Sequence, residues 1–171
     1  MQLIFLLIFL FIGYTIIKAC ATFAPWVPSF SRDLDRALQL AELKPGERFY
    51  DLGCGNGKLV FHAANHYFAD AVGVELMWPL FLWCKTKQWL MPRTSATFHF
   101  GDLFKHSVKD ADVVYLYGLP NHMTEKITNK LKSELPVGAR VICYCFPLKD
   151  LAPVAVSRSS EIDLPIYMYK F

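Results

Sequence analysis

The chain alternates between short runs of buried-strand character and segments with apolar residues every three or four positions. Five stretches predict strands, at residues 49–52, 70–76, 96–102, 112–118 and 139–146. Helical spacing follows at 33–41, 59–67, 78–91 and 122–134, and residues 154–157 and 165–169 predict a closing hairpin. Because strands that alternate with helices pair in parallel, we expect an α/β fold with a mostly parallel sheet and helices on both faces.

The N-terminal segment has a different pattern. Leu3 to Ile17 contains no charged residue and ends at Lys18. As a helix it would cover about 22 Å, and Lys18 could snorkel to the surface of a hydrocarbon layer that is roughly 30 Å thick. Residues 1–23 are therefore predicted to be a single-pass membrane anchor.

A cleaved signal peptide is the alternative interpretation, since Ala19-Cys20-Ala21 offers small residues at a cleavage position. No positive charge precedes the apolar stretch, however, whereas Lys18, Arg32 and Arg36 follow it. This asymmetry favours a retained anchor, with the C-terminal side in the cytoplasm.

Residues 24–32 contain Pro25 and Pro28, which exclude a regular helix. This segment is either a juxtamembrane linker or a cover over a ligand. Residues 33–171 are left as one domain of ordinary size. The helix at its start is predicted to be capped by Ser31 or Asp33.

Composition excludes some classes of function. Hydrophobic residues make up 54% of the 171 residues, which is enough to fill a core. The net charge is +3 and is not gathered into basic blocks, so we expect no nucleic-acid partner. The five cysteines form no CxxC pair and no zinc set, which is typical of reduced thiols, and no metal site is predicted. Cys143 and Cys145 have strand spacing and are expected to share one buried face.

A glycine-rich turn follows the first predicted strand. Gly53, Gly55 and Gly57 leave the backbone free to adopt positive φ and to approach a nucleotide-like ligand closely. A dinucleotide fingerprint would need its third glycine at position 58, where this chain has Lys58, and would not require the carboxylate at Asp51. The pattern therefore favours a ligand without a pyrophosphate.

Three of the predicted strands end in an acidic residue: Asp51, Glu75 and Asp102. Since parallel strands present their carboxyl ends at one edge, we expect these carboxylates to lie together where open α/β sheets bind ligands. Glu75 lies 22 residues after Gly53, a spacing that suits a ribose diol. Asp102 could accept a hydrogen bond from an adenine amino group, with Leu103 packed against the ring.

Asp51-x-Gly53-x-Gly55-x-Gly57 resembles motif I of the class I S-adenosylmethionine-dependent methyltransferases. Further blocks extend the resemblance: Phe-Ala-Pro-Trp-Val-Pro-Ser, Ala-Val-Gly-Val-Glu-Leu, Ala-Thr-Phe-His-Phe-Gly-Asp-Leu-Phe-Lys, Tyr-Gly-Leu-Pro and Leu-Pro-Val-Gly-Ala-Arg-Val-Ile-Cys-Tyr-Cys-Phe-Pro. Together they resemble the small membrane-anchored protein-lysine methyltransferases. The mitochondrial members of that family modify the adenine nucleotide translocase and the ATP synthase c subunit, and the family has prokaryotic relatives.

The resemblance implies a Rossmann-like class I fold with seven strands, S-adenosylmethionine as methyl donor and a protein lysine as acceptor, which an anchor could select within the same membrane. The residues that it implies for cofactor binding are Asp51, Gly53, Cys54, Gly55, Gly57, Glu75, Leu76, Asp102, Leu103 and Tyr117. Tyr117 and Pro120 would line the acceptor pocket, with neither a dedicated nucleophile nor a metal.

Two departures from the family pattern affect the prediction of the acceptor. Met77-Trp78-Pro79 stands where the family usually has Asn-Pro-Trp, and Tyr117 stands where it usually has Phe. Trp78 and Trp83 could pack beside the adenosine or face a membrane. A membrane lipid or quinone is an alternative acceptor, and a non-catalytic anchored module is a third hypothesis.

Overall fold

The computed structural model describes residues 1–22, 31–121, 125–158, 160 and 163–171. Seven strands form one sheet: β1 Arg48–Leu52, β2 Asp70–Glu75, β3 Thr97–Phe100, β4 Val113–Leu116, β5 Arg140–Tyr144, β6 Ala155–Ser157 and β7 Ile166–Lys170. Five helices accompany them: α1 Gln2–Thr22, α2 Ser31–Leu40, α3 Lys58–His66, α4 Trp78–Leu90 and α5 Glu125–Glu134.

The strands are ordered β3-β2-β1-β4-β5-β7-β6 across the sheet. The first five strands in this order pair in parallel, whereas β7 runs antiparallel to both of its neighbours. The predicted strand–helix alternation and the predicted closing hairpin are therefore confirmed.

Helices cover both faces of the sheet, because each face buries its own apolar cluster. On one face α2 and α3 pack over β1 and β5, with Leu38 and Val60 almost fully buried. On the other face α5 inserts Ile127 and Leu131 beneath the loops that follow β3 and β5. The two layers hold the strands rigidly, so the ends of the strands form a fixed platform.

Parts of the sequence prediction lie outside the described residues. Of the predicted juxtamembrane segment at 24–32, residues 24–30 are not described, and positions 31 and 32 already belong to α2. The predicted start of the fifth helix at residue 122 also lies outside, since the description resumes at α5.

The prediction for the two neighbouring cysteines was wrong. Cys143 lies in β5 and packs into the cluster beneath α5. Strand β5 ends at Tyr144, and Cys145 adopts a φ of +71°, in the left-handed region. This rotation interrupts the strand period, so Cys145 packs against the opposite cluster and is only half-buried.

The N-terminal helix α1 is long and apolar enough to cross a membrane, by length and composition alone. Its second half nevertheless packs on the domain. The Thr15 hydroxyl, buried at 2% exposure, donates to the Ile12 carbonyl and accepts the Trp78 backbone N–H at 3.4 Å. Phe11 stacks edge-on against the Trp78 ring with centroids 5.7 Å apart. An apolar pattern alone does not predict this docking.

Tyr169 provides a test of the core. Its buried hydroxyl accepts the Leu148 backbone N–H at 2.9 Å. Tyr169→Phe would leave that buried donor unpaired, so we expect a loss of about 1–3 kcal/mol in the free energy of unfolding. Chemical denaturation measures it, with Tyr167→Phe on the same strand as the matched control. Equal stability of the two variants would contradict this role for the hydroxyl.

Candidate active site

The three strand-end carboxyls lie at one edge of the sheet. In the parallel pairing of β1 with β2, Asp51 stands opposite Gly73, one residue pair before the end of β1. Glu75 ends β2 opposite Phe100, and the Gly101 N–H donates to the Glu75 carbonyl at 3.0 Å. Asp102 is the residue after Gly101 and therefore lies at the same edge. The structure thus places Asp51, Glu75 and Asp102 where parallel pairing predicts.

The glycine turn between β1 and α3 has left-handed backbone at all three glycines, with φ of 95° at Gly53, 56° at Gly55 and 72° at Gly57. The N–H groups of Gly53 and Cys54 both donate to the Val74 carbonyl, at 2.9 and 3.1 Å. The turn is therefore fixed to β2 as well as to β1.

The turn is packed tightly against its support. A Cβ on Gly57 would lie 2.7 Å from Cε1 of Phe98 and 2.9 Å from Sγ of Cys84, distances that real side chains do not tolerate. The Cys54 thiol lies beneath the turn, and burial raises its pKa well above the ordinary value. Cys54 is thus a small packing residue whose thiol stays protonated.

Glu75 connects the turn to the next helix. Its Oε2 accepts the Gly55 N–H and its Oε1 accepts the Met77 N–H, both at 2.7 Å. Burial raises the pKa of Glu75, and these backbone donors oppose that rise. Each carboxylate oxygen has two lone pairs, so one backbone hydrogen bond to an oxygen does not exhaust its capacity to accept from a ligand hydroxyl.

Asp51 is the most perturbed acid at this edge. Its side chain is buried, with 4% exposure. Burial raises its pKa to about 8, and the nearby Glu75 carboxyl adds to the effect. Without a cation beside it, Asp51 is therefore mostly protonated at neutral pH. A buried acid beside a bare backbone turn fits a ligand that carries a positive charge.

The predicted adenine end is formed by the segment after β3. Asp102 is half-buried and its Oδ1 accepts the Phe104 N–H at 2.9 Å, which folds the chain back into a turn. Leu103 is buried in the core below that turn. Leu76, the residue after β2, is half-buried.

The predicted acceptor side has a second aromatic ring that the sequence did not indicate. Tyr117 is half-buried, and its ring meets the Tyr144 ring edge-on, with centroids 4.9 Å apart. The Tyr144 hydroxyl donates to Asp33 Oδ2 of α2 at 2.5 Å, which fixes the ring. Tyr144 ends β5, so its position near the carboxyl end of a predicted strand was the feature of the sequence that could have indicated it. Pro120 lies exposed in the loop after β4.

Comparison with known proteins gives the family. Residues 51–155 match the model of the ANTKMT methyltransferase domain, over more than half of the chain. The chain belongs to this family. The match begins at Asp51 and includes the glycine turn and all three strand-end acids of the ANTKMT domain.

Two curated relatives are named as lysine methyltransferases. The ANTKMT-domain chain is 35% identical to mouse adenine nucleotide translocase lysine N-methyltransferase over 133 residues, which is 77% of this chain and 57% of that protein. It is 29% identical to a protein-lysine N-methyltransferase of Saccharolobus islandicus (strain REY15A) over 151 residues, 85% of this chain and 92% of that one. The chain thus spans little more than half the length of the mouse relative.

A solved structure establishes the fold. A protein from Salinibacter ruber, described as an RNA methyltransferase in complex with S-adenosyl-L-homocysteine, superposes with a TM-score of 0.79 at 30% identity. The match covers 84% of this chain and 93% of that one. The fold is therefore the class I methyltransferase fold expected from the sequence.

Gly57→Ala tests the packing of the turn. The added Cβ would meet Phe98 and Cys84 at a strained positive φ. Gly46 has a similar φ of +81° but open space around it, so Gly46→Ala carries the backbone strain alone. We expect Gly57→Ala to lose about 2 kcal/mol more stability than Gly46→Ala, which denaturant titration measures. Equal losses would contradict the tight packing.

Asp51→Asn tests the raised pKa. The folded-state pKa of about 8 lies above the ordinary value of 3.8, so between these values unfolding releases a proton and stability falls as pH rises. Asparagine removes this term. We expect the stability of Asp51→Asn relative to the parent to increase from pH 5 to pH 8, by at most about 1.4 kcal/mol per unit. Denaturation at several pH values measures it, with exposed Asp150→Asn as the control. A pH-independent difference would show that Asp51 is ionised.

Proposed function

We propose that this protein is an S-adenosylmethionine-dependent methyltransferase that modifies a lysine side chain of a protein. The observation that carries the proposal is Asp51, a buried acid with a pKa of about 8 beside a glycine turn. S-adenosylmethionine brings an ammonium and a sulfonium and no phosphate. A ligand of that charge would stabilise the ionised form of Asp51, whereas a pyrophosphate would be repelled.

Each cofactor residue then has a distinct task. Asp51 binds the amino-acid end, and Glu75 accepts hydrogen bonds from the ribose hydroxyls through its remaining lone pairs. Asp102 accepts the adenine amino group, with Leu76 and Leu103 beside the ring. Gly53, Cys54, Gly55 and Gly57 let the backbone approach the ligand, and Tyr117 closes the methyl end. When bound, the cofactor supplies a methyl group on a positively charged sulfur.

The acceptor side requires a neutral amine, because an ammonium has no lone pair. Tyr117 and Tyr144 form an aromatic wall at this end of the site, and Pro120 lies at its rim. A pocket with such walls would exclude water and lower the pKa of an entering lysine. Positioning the amine in line with the methyl group would then account for much of the rate.

The class of acceptor is argued from relatives and charge. The mouse and Saccharolobus relatives are named for lysine methylation, whereas the Salinibacter structure is described as an RNA methyltransferase. Three carboxyls at the sheet edge and a net charge of only +3 disfavour an RNA backbone. We further propose that α1 holds the enzyme at a membrane, with the domain on the cytoplasmic side, so that a membrane protein is the natural substrate.

Two measurements test this function. Calorimetry with S-adenosylhomocysteine reports the cofactor site, and we expect Asp51→Ala to weaken binding at least ten-fold because a charge-assisted contact is lost. Unchanged affinity would refute the cofactor assignment.

Radiolabelled donor, added with the full chain to membranes from cells that lack it, reports the acceptor. We expect label in protein and methyl-lysine on mass spectrometry, and none with Asp51→Ala. Label that extracts with lipid, or that is released by ribonuclease, would transfer the proposal to those substrates. Cofactor binding without any labelled product would favour a non-catalytic module.

A further inference from the structure

Helix α4 carries an exposed apolar stripe. Leu82, Trp83, Trp89 and Leu90, which we name the α4 face, are exposed by 44%, 59%, 79% and 65%. At 100° per residue these positions fall within one third of the helix surface, opposite the buried Cys84. Two exposed tryptophans on one stripe mark an interaction surface rather than scattered exposure.

The α4 face continues into the apolar surface of α1. Trp78, the first residue of α4, donates its backbone N–H to the Thr15 hydroxyl, and its ring contacts the Phe11 ring. All of residues 1–10 are exposed, and they are apolar except for Gln2. The exposed apolar surface of α1 therefore leads to the start of α4.

The docking of α1 restricts which part of it can contact lipid. Phe11 and Thr15 contact Trp78, so this part of α1 lies against the domain. While α1 stays docked, lipid that surrounds its exposed residues 1–10 must also meet the domain surface beside it.

The charges near the α4 face complement anionic lipid headgroups. None of the 15 acidic residues lies within residues 1–32 or 76–101, which contain α1 and α4. On the helical wheel Lys85 and Lys87 flank the stripe on its two sides. Apolar side chains with tryptophans, bordered by lysines, are typical of helices that lie in the membrane interface.

We propose that the α4 face and the exposed part of docked α1 form one lipid-binding surface, so that the protein sits in one leaflet as a monotopic membrane protein. Because Met77 precedes α4 and binds Glu75, this orientation places the carboxyl edge of the sheet close to the headgroups. Lipid binding at this surface is independent of methyl transfer.

Depth-dependent fluorescence quenching tests the proposal in the full chain. Variants that keep Trp83 or Trp89 as the only tryptophan, with the others changed to Phe, are mixed with phosphatidylcholine–phosphatidylglycerol vesicles brominated on the acyl chains. We expect quenching and a blue shift for both. The control is Val156→Trp in a tryptophan-free background. Val156 is 51% exposed and lies in β6, the strand farthest from β3 in the sheet, whereas α4 packs beside β3 and β2, so its replacement should stay unquenched.

A pair of charge variants gives an independent readout. Trp83→Glu with Trp89→Glu should weaken vesicle binding at least ten-fold, because two apolar anchors are lost and charges are added. Val154→Glu with Val156→Glu adds the same charges to exposed apolar positions at β6 and should leave vesicle binding unchanged. Binding of S-adenosylhomocysteine by both variants shows that they are folded.

Three results would overturn the proposal. Vesicle-bound protein with unquenched Trp83 and Trp89 would mean that α1 undocks and crosses the bilayer alone. Equal vesicle binding by the two charge variants would mean that the α4 face does not contact lipid. Concentration-dependent dimerisation without lipid that shields both tryptophans would assign the face to a second copy of the chain.

Discussion

The burial of two carboxyls side by side, Asp51 and Glu75, is the constraint on which the site depends. Glu75 is stabilised by backbone N–H groups from both sides, at Gly55 and Met77. Asp51 instead has its pKa raised to about 8 by burial and by Glu75, so a bound proton neutralises its buried carboxylate. The sheet edge is thus suited to a positively charged ligand, and folding stability is lost to keep the acid in place.

The same pair connects the site to the N-terminal helix through a short series of contacts. Glu75 holds Gly55 on one side and Met77 on the other, and the next residue, Trp78, holds Thr15 of α1. A shift of α1 against the domain would therefore displace the start of α4 at Trp78. This residue directly follows Met77, whose N–H donates to Glu75. The proposed lipid-binding surface and the proposed cofactor site therefore share one side of the molecule.

Sequence reasoning was sufficient for the strands and for the edge at which their acids meet, because strand period and parallel pairing are local rules. It failed at Cys145, where a single positive φ reverses the side-chain direction. It also missed the Tyr144 and Asp33 pair, since the partners are separated by 111 positions and no periodic pattern links them. The docking of α1 on the domain could not be predicted, because an apolar stretch can pack equally well against lipid and against protein.

The electrostatics of the site favour the neutral form of any group that can lose its charge by moving a proton. Burial keeps Asp51 neutral in the ligand-free state because the carboxyl stays protonated. The aromatic wall at Tyr117 and Tyr144 would keep a lysine neutral by favouring the loss of its proton. A sulfonium has no proton to lose and stays cationic. In the proposed reaction, low polarity would therefore prepare the acceptor lysine for attack without discharging the donor, and a position at the lipid surface would strengthen both effects by excluding water.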